Sequence, residues 1–168
     1  MPRASVTQDR DRRIIIRNAA RSDAELIVEL IVGLAKFEKL RPPDAKSKSR
    51  LVRDIFDKKL INVFVAKEGK TLLGYALYFF TYSSFLARPT LYLEDIFVRA
   101  ENRHEGVGKA LFMRCVEEAV RKGCGRIEWQ VLTWNKEAIG FYRKLGAEKL
   151  DEYRQFRLNS DRFRRLLH

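Results

Sequence analysis

A strand, a glycine-containing turn and a helix follow one another directly in residues 91–121. The first eight residues, LYLEDIFV, form an apolar run that is typical of a mostly buried strand. The turn reads R-x-x-G-x-G and ends at Gly108, and Gly123 is expected to end the helix that follows. The apolar residues of this helix recur at three- and four-residue steps and so share one face: Val107, Leu111, Phe112, Cys115, Val116, Ala119 and Val120.

The glycine turn predicts an anion site. Two glycines between a strand and a helix let the backbone approach a ligand closely, and the first N–H groups of the helix then point at it. A pyrophosphate would suit such a site, although the glycines alone favour a tight turn without a ligand. The spacing matches neither a Walker loop nor the dinucleotide fingerprint. Ala110, which follows Lys109, offers no hydroxyl to magnesium, so kinase or NTPase chemistry is not expected.

This region resembles motif A of the GNAT superfamily of acetyl-CoA-dependent N-acetyltransferases. It is most similar to the diamine acetyltransferase branch, which comprises spermidine/spermine and thialysine N-acetyltransferases. The resemblance extends over residues 14–158, and it implies the GNAT fold, an α/β fold with a mixed central sheet flanked by helices. Its most specific parts are Tyr92-Leu-Glu-Asp95, the turn at 103–108, and Trp134-Asn135 followed by Phe141-Tyr142.

The length and charge limit the organisation of the chain. Its 168 residues suit one domain, so we expect a flexible arm at residues 1–12 and a single GNAT domain at 13–168. The 34 basic and 22 acidic residues give a net charge of +12, which predicts a positive surface. That surface would attract nucleic acid, an acidic membrane face or a phosphorylated cofactor, and a solvated surface without such a partner is the alternative.

The two cysteines, Cys115 and Cys124, have no partner at metal-ligand spacing, so both are expected to be reduced thiols and no metal site is expected. The sequence has no apolar run long enough to cross a bilayer and no signal-peptide pattern. We therefore expect a soluble, cytoplasmic protein that has no membrane partner.

The other expected elements follow from periodicity and turn signals. In the first half they are a strand at 13–18, a helix from a Ser22–Glu25 capping box to about Lys39, a helix at 44–58, a hairpin turning at Gly69, and a loop at Arg88-Pro89. In the second half they are a strand at 126–132, a helix capped by Thr133 or Asn135 and ended by Gly146, and a strand at 152–158.

Three residues are candidates for the chemistry of acetyl transfer. Glu94 and Asp95 are adjacent acids in an apolar strand, and strict alternation would send them to opposite faces. Because burying a carboxylate is costly, the pair indicates a site, with pairing to basic neighbours as the alternative. The resemblance implies that Glu94 acts through water as general base and that Asp95 helps to bind a cationic amine. For Tyr142, the pattern alone favours an aromatic core pair with Phe141, but the resemblance implies a general acid that protonates the departing thiolate.

The resemblance also implies the cofactor contacts. Backbone groups of Ile96, Phe97 and Val98 would bind the pantetheine arm, and Asn135 would contact the cofactor as well. The pyrophosphate would be bound by Arg103, His104, Glu105, Gly106, Val107, Gly108 and Lys109. His104 stands where many members of the family have glycine, so a positive φ at this residue would lower cofactor affinity.

The acceptor is expected to be a primary amine. Ser83 and Phe85 occupy a loop that the resemblance assigns to the acceptor, at places where the polyamine enzymes carry an acidic residue and a tryptophan. We therefore expect direct ternary-complex transfer from acetyl-CoA to a small diamine, a polyamine or a lysine-, thialysine- or ornithine-like amino acid. The alternatives are acetylation of protein or peptide amines and a basic nucleic-acid-binding module, although no nucleic-acid-binding motif is present. The resemblance further implies a homodimer.

Overall fold

The computed structural model describes residues 14–167. These residues fall into two compact units, and the boundary in the chain lies between Gln130 and Val131. The expected N-terminal arm, residues 1–12, and the first residue of the first expected strand, Arg13, lie outside the described residues. The single domain expected at 13–168 stays a prediction.

The first unit is built on a five-stranded mixed sheet, as expected. The strands lie in chain order across the sheet, with β1 to β4 antiparallel and β5 parallel to β4. They are β1 (Ile15–Asn18), β2 (Asn62–Glu68), β3 (Thr71–Ser83), β4 (Arg88–Val98) and β5 (Arg126–Trp129).

Two helices cover one face of this sheet and a third covers the other. α1 (Ala24–Phe37) and α2 (Ala45–Phe56) pack on a core on the first face. α3 (Val107–Arg121) lies on the opposite face, where the Arg114 guanidinium stands 4.5 Å from the centre of the Phe64 ring. The buried core on the α1 face comprises Ile27, Leu30, Ile55, Val63, Val65, Leu72, Tyr75 and Leu77.

Several expectations for the first unit need correction. Arg88 and Pro89 begin β4 and are not in a loop; Pro89 is tolerated because it lies at the start of the strand. α1 begins at Ala24 with Asp23 as its N-cap, so the expected Ser22–Glu25 capping box is not formed. Val120 is exposed although it was expected on the apolar face of α3. Glu118 is buried on that helix instead, because Arg121 pairs with its carboxylate.

The second unit contains α4 (Lys136–Lys144) and α5 (Ser160–Leu166). The Asn135 side chain caps α4 by accepting a hydrogen bond from the Ala138 N–H at 3.1 Å, which confirms one of the two expected caps. The strand expected at 152–158 does not form; the segment is irregular and exposed. Its apolar residues Tyr153, Phe156 and Leu158 do not alternate strictly with polar ones, and a strand without a neighbour to pair with is not stable.

A buried ion pair secures the start of α1. Asp23 accepts two hydrogen bonds from the Arg17 guanidinium, at 2.7 and 2.9 Å, and one from the Ala20 N–H at 2.7 Å. The hydrogen bonds from Arg17 lower the pKa of Asp23 below its ordinary value. The ionised carboxylate therefore stabilises the fold above that ordinary value and loses this contribution as the pH falls through the lowered one.

We expect Asp23→Ala to lower the free energy of unfolding by about 2–4 kcal/mol, because Arg17 and the Ala20 N–H lose their partner. Urea unfolding at neutral pH measures this, and the difference from wild type should shrink in acid. Asp57→Ala is the matched control, since it removes the partner of Arg21 in an exposed pair and should cost less than about 1 kcal/mol. Equal losses in the two variants would contradict the assigned role of Asp23.

Candidate active site

A β-bulge in β4 sets the geometry of the acidic pair. Asp95 pairs with Leu77 and Leu93 pairs with Tyr78, so β4 has one more residue than β3 at this point. Glu94 is that extra residue. A bulge bends the strand and interrupts the alternation of side chains. The strict alternation expected for Glu94 and Asp95 therefore does not apply.

The bulge turns Asp95 toward the α1 face of the sheet. There its carboxylate accepts a hydrogen bond of 3.1 Å from the hydroxyl of the buried Tyr75. Burial raises the pKa of Asp95 to about 6, while the hydrogen bond from Tyr75 partly opposes this and the charges of Glu94 and Glu38 add to it. Because the folded state binds this proton more tightly, ionisation of Asp95 lowers stability as the pH rises from 3.8 toward 6.

Glu94 itself is exposed, and a third carboxylate lies near the pair. Glu38 follows the last residue of α1 and is half-buried, and burial raises its pKa. Its negative charge raises the pKa of both Asp95 and Tyr75. Sequence reasoning missed Glu38 because it follows an ordinary amphipathic helix, and only tertiary packing brings the end of that helix to β4.

The backbone of β4 beyond the bulge lies at a divergence of strands. β5 pairs with β4 from Thr90 to Leu93 only, and β4 then continues to Val98. All three of the expected pantetheine-binding residues lie in this last part of the strand: Ile96, Phe97 and Val98. On the β5 side, backbone groups in this part of β4 are therefore available to a ligand that lies along the strand.

The glycine turn leads from β4 into α3. Gly106 has a φ of +82° and immediately precedes α3. His104 also has a positive φ, +65°. Because a residue other than glycine is strained in this conformation, we expect His104 to lower cofactor affinity. A Cβ added to Gly108 would meet Val98 Cγ2 at 3.7 Å, an ordinary van der Waals contact, so the ligand-free protein has room for a methyl group at this residue. Val107, Gly108 and Lys109 begin the helix and supply its first N–H groups.

Arg103 has a structural contact in addition to its expected phosphate role. Its Nε donates a hydrogen bond of 3.1 Å to the Val98 carbonyl oxygen. Its guanidinium lies 4.6 Å from the centre of the Phe37 ring, at the end of α1, and 5.7 Å from that of the Phe97 ring. Arg103 thereby fixes the end of α1, which precedes Glu38, against β4.

The hairpin residues expected to contact the acceptor lie at the other end of β4. Ser83 pairs with Arg88, and its hydroxyl accepts a hydrogen bond of 3.3 Å from the Leu86 N–H within the turn. Phe85 is fully exposed in the same turn. Six residues separate Arg88 from Glu94, which corresponds to roughly 20 Å of extended strand. The first unit therefore does not bring Ser83 and Phe85 together with the acidic pair.

The remaining expected site residues belong to the second unit. Asn135 is the N-cap of α4, so its side-chain oxygen is engaged by the helix. Tyr142 is buried on α4, and its ring lies 5.1 Å from that of Phe141 in an edge-to-face arrangement. Both the core role and the general-acid role remain compatible with this position.

Among residues 14–167, no group of three or more His, Cys, Asp or Glu side chains is arranged to hold a metal ion. Within the same residues, no helix combines the length and apolarity needed to cross a bilayer. Cys115 is buried and Cys124 half-buried, and both are free thiols. Burial raises the pKa of the Cys115 thiol to about 12, so it is protonated and unreactive.

The sequence of this chain matches that of known acetyltransferases. A family profile described as the Acetyltransferase (GNAT) family matches residues 29–147. The chain therefore belongs to this family, and it is an acetyltransferase.

Curated relatives agree with this membership, and solved structures share the fold. A thialysine N-epsilon-acetyltransferase from Sus scrofa is 34% identical over 165 residues, which cover 91% of this chain and 96% of the relative. An L-ornithine N5-acetyltransferase, NATA1, from Arabidopsis thaliana is 46% identical over 88 residues, or 52% of this chain and 39% of the relative. An integron cassette protein from the mobile metagenome of V. cholerae has a similar structure, with a TM-score of 0.76, 21% identity and coverage of 92% and 97% of the two chains.

We expect Tyr75→Phe to raise the pKa of Asp95 above its value of about 6, because the hydrogen bond that favours the ionised carboxylate is lost. Carbon-13 NMR titration of the side-chain carboxyl groups measures this shift. Tyr78→Phe is the control, since Tyr78 is also buried but its ring stacks on Phe64 on the other face of the sheet. An unchanged Asp95 titration in Tyr75→Phe would contradict the assigned hydrogen bond.

Proposed function

We propose that this chain transfers the acetyl group of acetyl-CoA directly to a primary amine of a small cationic acceptor. The acceptor class comprises diamines, polyamines and lysine-, thialysine- or ornithine-like amino acids. The observation that carries the proposal is the bulge at Glu94, which lies with Asp95 at the start of the part of β4 that β5 leaves unpaired. The names of the thialysine and ornithine relatives support the same acceptor class.

The acidic groups suit a cationic amine. With a pKa of about 6, Asp95 is largely ionised at neutral pH, and Glu94 and Glu38 add negative potential around it. An ammonium ion is attracted to this cluster and stabilises its ionised form. In our proposal Glu94, which is exposed to solvent, removes a proton from the ammonium through a water molecule, and Asp95 orients the amine.

The glycine turn suits the phosphates of acetyl-CoA, which supplies a thioester as the acetyl donor. The helix N-terminus at Val107 offers N–H groups to a pyrophosphate, and Gly108 has no side chain that would obstruct its approach to the backbone. Backbone groups at Ile96 to Val98 would hold the pantetheine arm beside the acceptor. The proposed pyrophosphate site also includes the neighbouring residues Arg103, His104, Glu105, Gly106 and Lys109.

We assign the general acid to Tyr142 and a cofactor contact to Asn135. A tyrosine is neutral at pH 7 and can donate its proton to the thiolate that leaves when the carbon–sulfur bond breaks. An ammonium loses two protons in becoming an amide: the first passes through water to Glu94 and then to solvent, and the second leaves the nitrogen of the tetrahedral intermediate and replaces the proton that Tyr142 gives to the thiolate. One turnover therefore forms the amide and the CoA thiol and releases one proton to solvent. We propose further that the protein acts as a homodimer in the cytoplasm, where its two free thiols would stay reduced.

We expect Gly108→Ala to weaken acetyl-CoA binding at least about tenfold without lowering the melting temperature. The added methyl group fits the ligand-free protein, at 3.7 Å from Val98 Cγ2, but takes space that the proposal gives to the pyrophosphate. Isothermal titration calorimetry measures the affinity, and thermal unfolding measures stability. Gly140→Ala is the control and should keep wild-type affinity, because a Cβ added at this glycine of α4 would meet nothing within 4 Å. Wild-type affinity in Gly108→Ala would argue against a pyrophosphate at this turn.

We expect Tyr142→Phe to lower kcat by about 10²-fold or more while acetyl-CoA still binds, because the general acid is lost and the ring is kept. Release of free CoA measures turnover with ornithine, lysine, thialysine, putrescine, spermidine and a lysine peptide as acceptors. Tyr153→Phe, at an exposed tyrosine of the same unit, is the control. If only the lysine peptide were acetylated, the acceptor would be a protein amine and not a small molecule. Full activity of Tyr142→Phe would contradict the assignment of Tyr142 as general acid.

A further inference from the structure

The sheet face that carries the acidic cluster continues from β4 onto β5. Tyr92 of β4 pairs with Glu128 of β5, and two pairs closer to the start of both strands Thr90 pairs with Arg126. Trp129 packs edge-to-face on Phe112 of α3, with ring centres 5.4 Å apart. Because neighbouring residues of a strand face opposite ways, Glu128 and Arg126 project from the face away from α3.

Arg126 and Glu128 form an ion pair on this face. The Arg126 Nε lies 3.0 Å from Glu128 Oε1, and the side chains are 47% and 32% exposed. Both side chains of the pair remain partly exposed to solvent. The ion pair is therefore accessible to a ligand that carries a second, complementary pair of charges.

Tyr92 connects this ion pair with the acidic pair on β4. Its ring packs on Phe79, with ring centres 5.2 Å apart, and its half-buried side chain forms an aromatic surface between the two sites. Burial raises the pKa of the Tyr92 hydroxyl, and the charges of Glu94 and Glu128 raise it further. Both carboxylates are therefore close to this tyrosine.

We propose that Arg126 and Glu128 bind the amino-acid head group of the acceptor, with the α-carboxylate on Arg126 and the α-ammonium on Glu128. This inference rests on the proposed function and selects the amino-acid acceptors from its wider class. The side-chain amine that accepts the acetyl group then lies at Glu94 and Asp95, and the aliphatic chain lies across Tyr92.

The distances suit this arrangement. Two residues along β4 and one strand spacing separate the backbone of Glu94 from that of Glu128, which amounts to roughly 8 Å. The side-chain nitrogen of an extended ornithine lies roughly 5 Å from its α-carbon. Side chains that converge from the two strands can therefore reach both ends of the same molecule.

The charges favour an amino acid over a diamine. A diamine has a second ammonium at this end, which Glu128 attracts and Arg126 repels. An amino acid presents one charge of each sign, so both members of the ion pair gain a partner. Arg126 is thus the residue that separates the two substrate classes.

The experiment compares three acceptors of one length: ornithine, putrescine, which lacks the carboxylate, and 5-aminopentanoate, which lacks the α-amine. Initial rates of CoA release give kcat and KM for wild type, Arg126→Gln and Glu128→Gln. For wild type we expect kcat/KM for ornithine to exceed that for putrescine at least about 30-fold. Arg126→Gln should lower kcat/KM about 30-fold for ornithine and 5-aminopentanoate, mainly through KM, and leave putrescine unchanged or improved.

Glu128→Gln should impair ornithine but not 5-aminopentanoate, which has no α-ammonium to lose a partner. Arg53→Gln is the matched control, since Arg53 is also a half-exposed, ion-paired arginine but lies on α2. Equal ornithine and putrescine rates in wild type would overturn the inference and leave the proposed function intact, and this comparison needs no variant. A uniform loss for all three acceptors in Arg126→Gln would overturn it as well. Wild-type protein that acetylates none of the small amines would overturn both.

Discussion

The extra residue at Glu94 controls the register of the end of β4. Without the bulge, Asp95 would follow Leu91 and Leu93 onto the α3 face, where an unpaired carboxylate in an apolar core would be expensive. With it, Asp95 shares a face with Tyr75, whose buried hydroxyl needs an acceptor. The bulge costs some ladder hydrogen bonding, and the Tyr75–Asp95 contact offsets part of that cost. One change of register thus moves a charge from a site where it would destabilise the fold to one where it is hydrogen-bonded.

Arg103 connects the register of β4 to the position of α1. It binds the Val98 carbonyl and lies over the Phe37 ring, so the turn after β4 holds the last residue of α1. Glu38 comes next in the chain, and its charge then acts on Asp95. An arginine suits this position because its planar group can stack on an aromatic ring while its N–H groups donate hydrogen bonds. The negative potential around Asp95 therefore depends on a residue that sequence analysis assigns to the cofactor.

Local patterns predicted the parts of this molecule that are determined locally. The strand, turn and helix at 91–121 could be read from apolar spacing and two glycines, and Asn135 from helix capping. The bulge could not be read from the sequence of β4, because the register depends on how β4 pairs with β3, which is a separate strand. The same applies to Glu38, which only packing brings to Asp95, and to Ser83, whose alignment with an acceptor loop gave no hint of its distance along β4. The strand expected at 152–158 lacks strict alternation, and within the described residues it has no neighbouring strand to pair with.

The distribution of charge explains how one strand could serve two substrates of opposite sign. The chain carries a net charge of +12, yet Glu38, Glu94 and Asp95 concentrate negative charge at the bulge. A few residues later the same strand enters a turn whose N–H groups attract anions. Attraction of an ammonium to the first region and of phosphates to the second would orient both molecules along β4 before any specific contact forms. Because both regions belong to one continuous segment, the covalent geometry of the chain fixes their separation, and direct transfer needs only that the two substrates bind together.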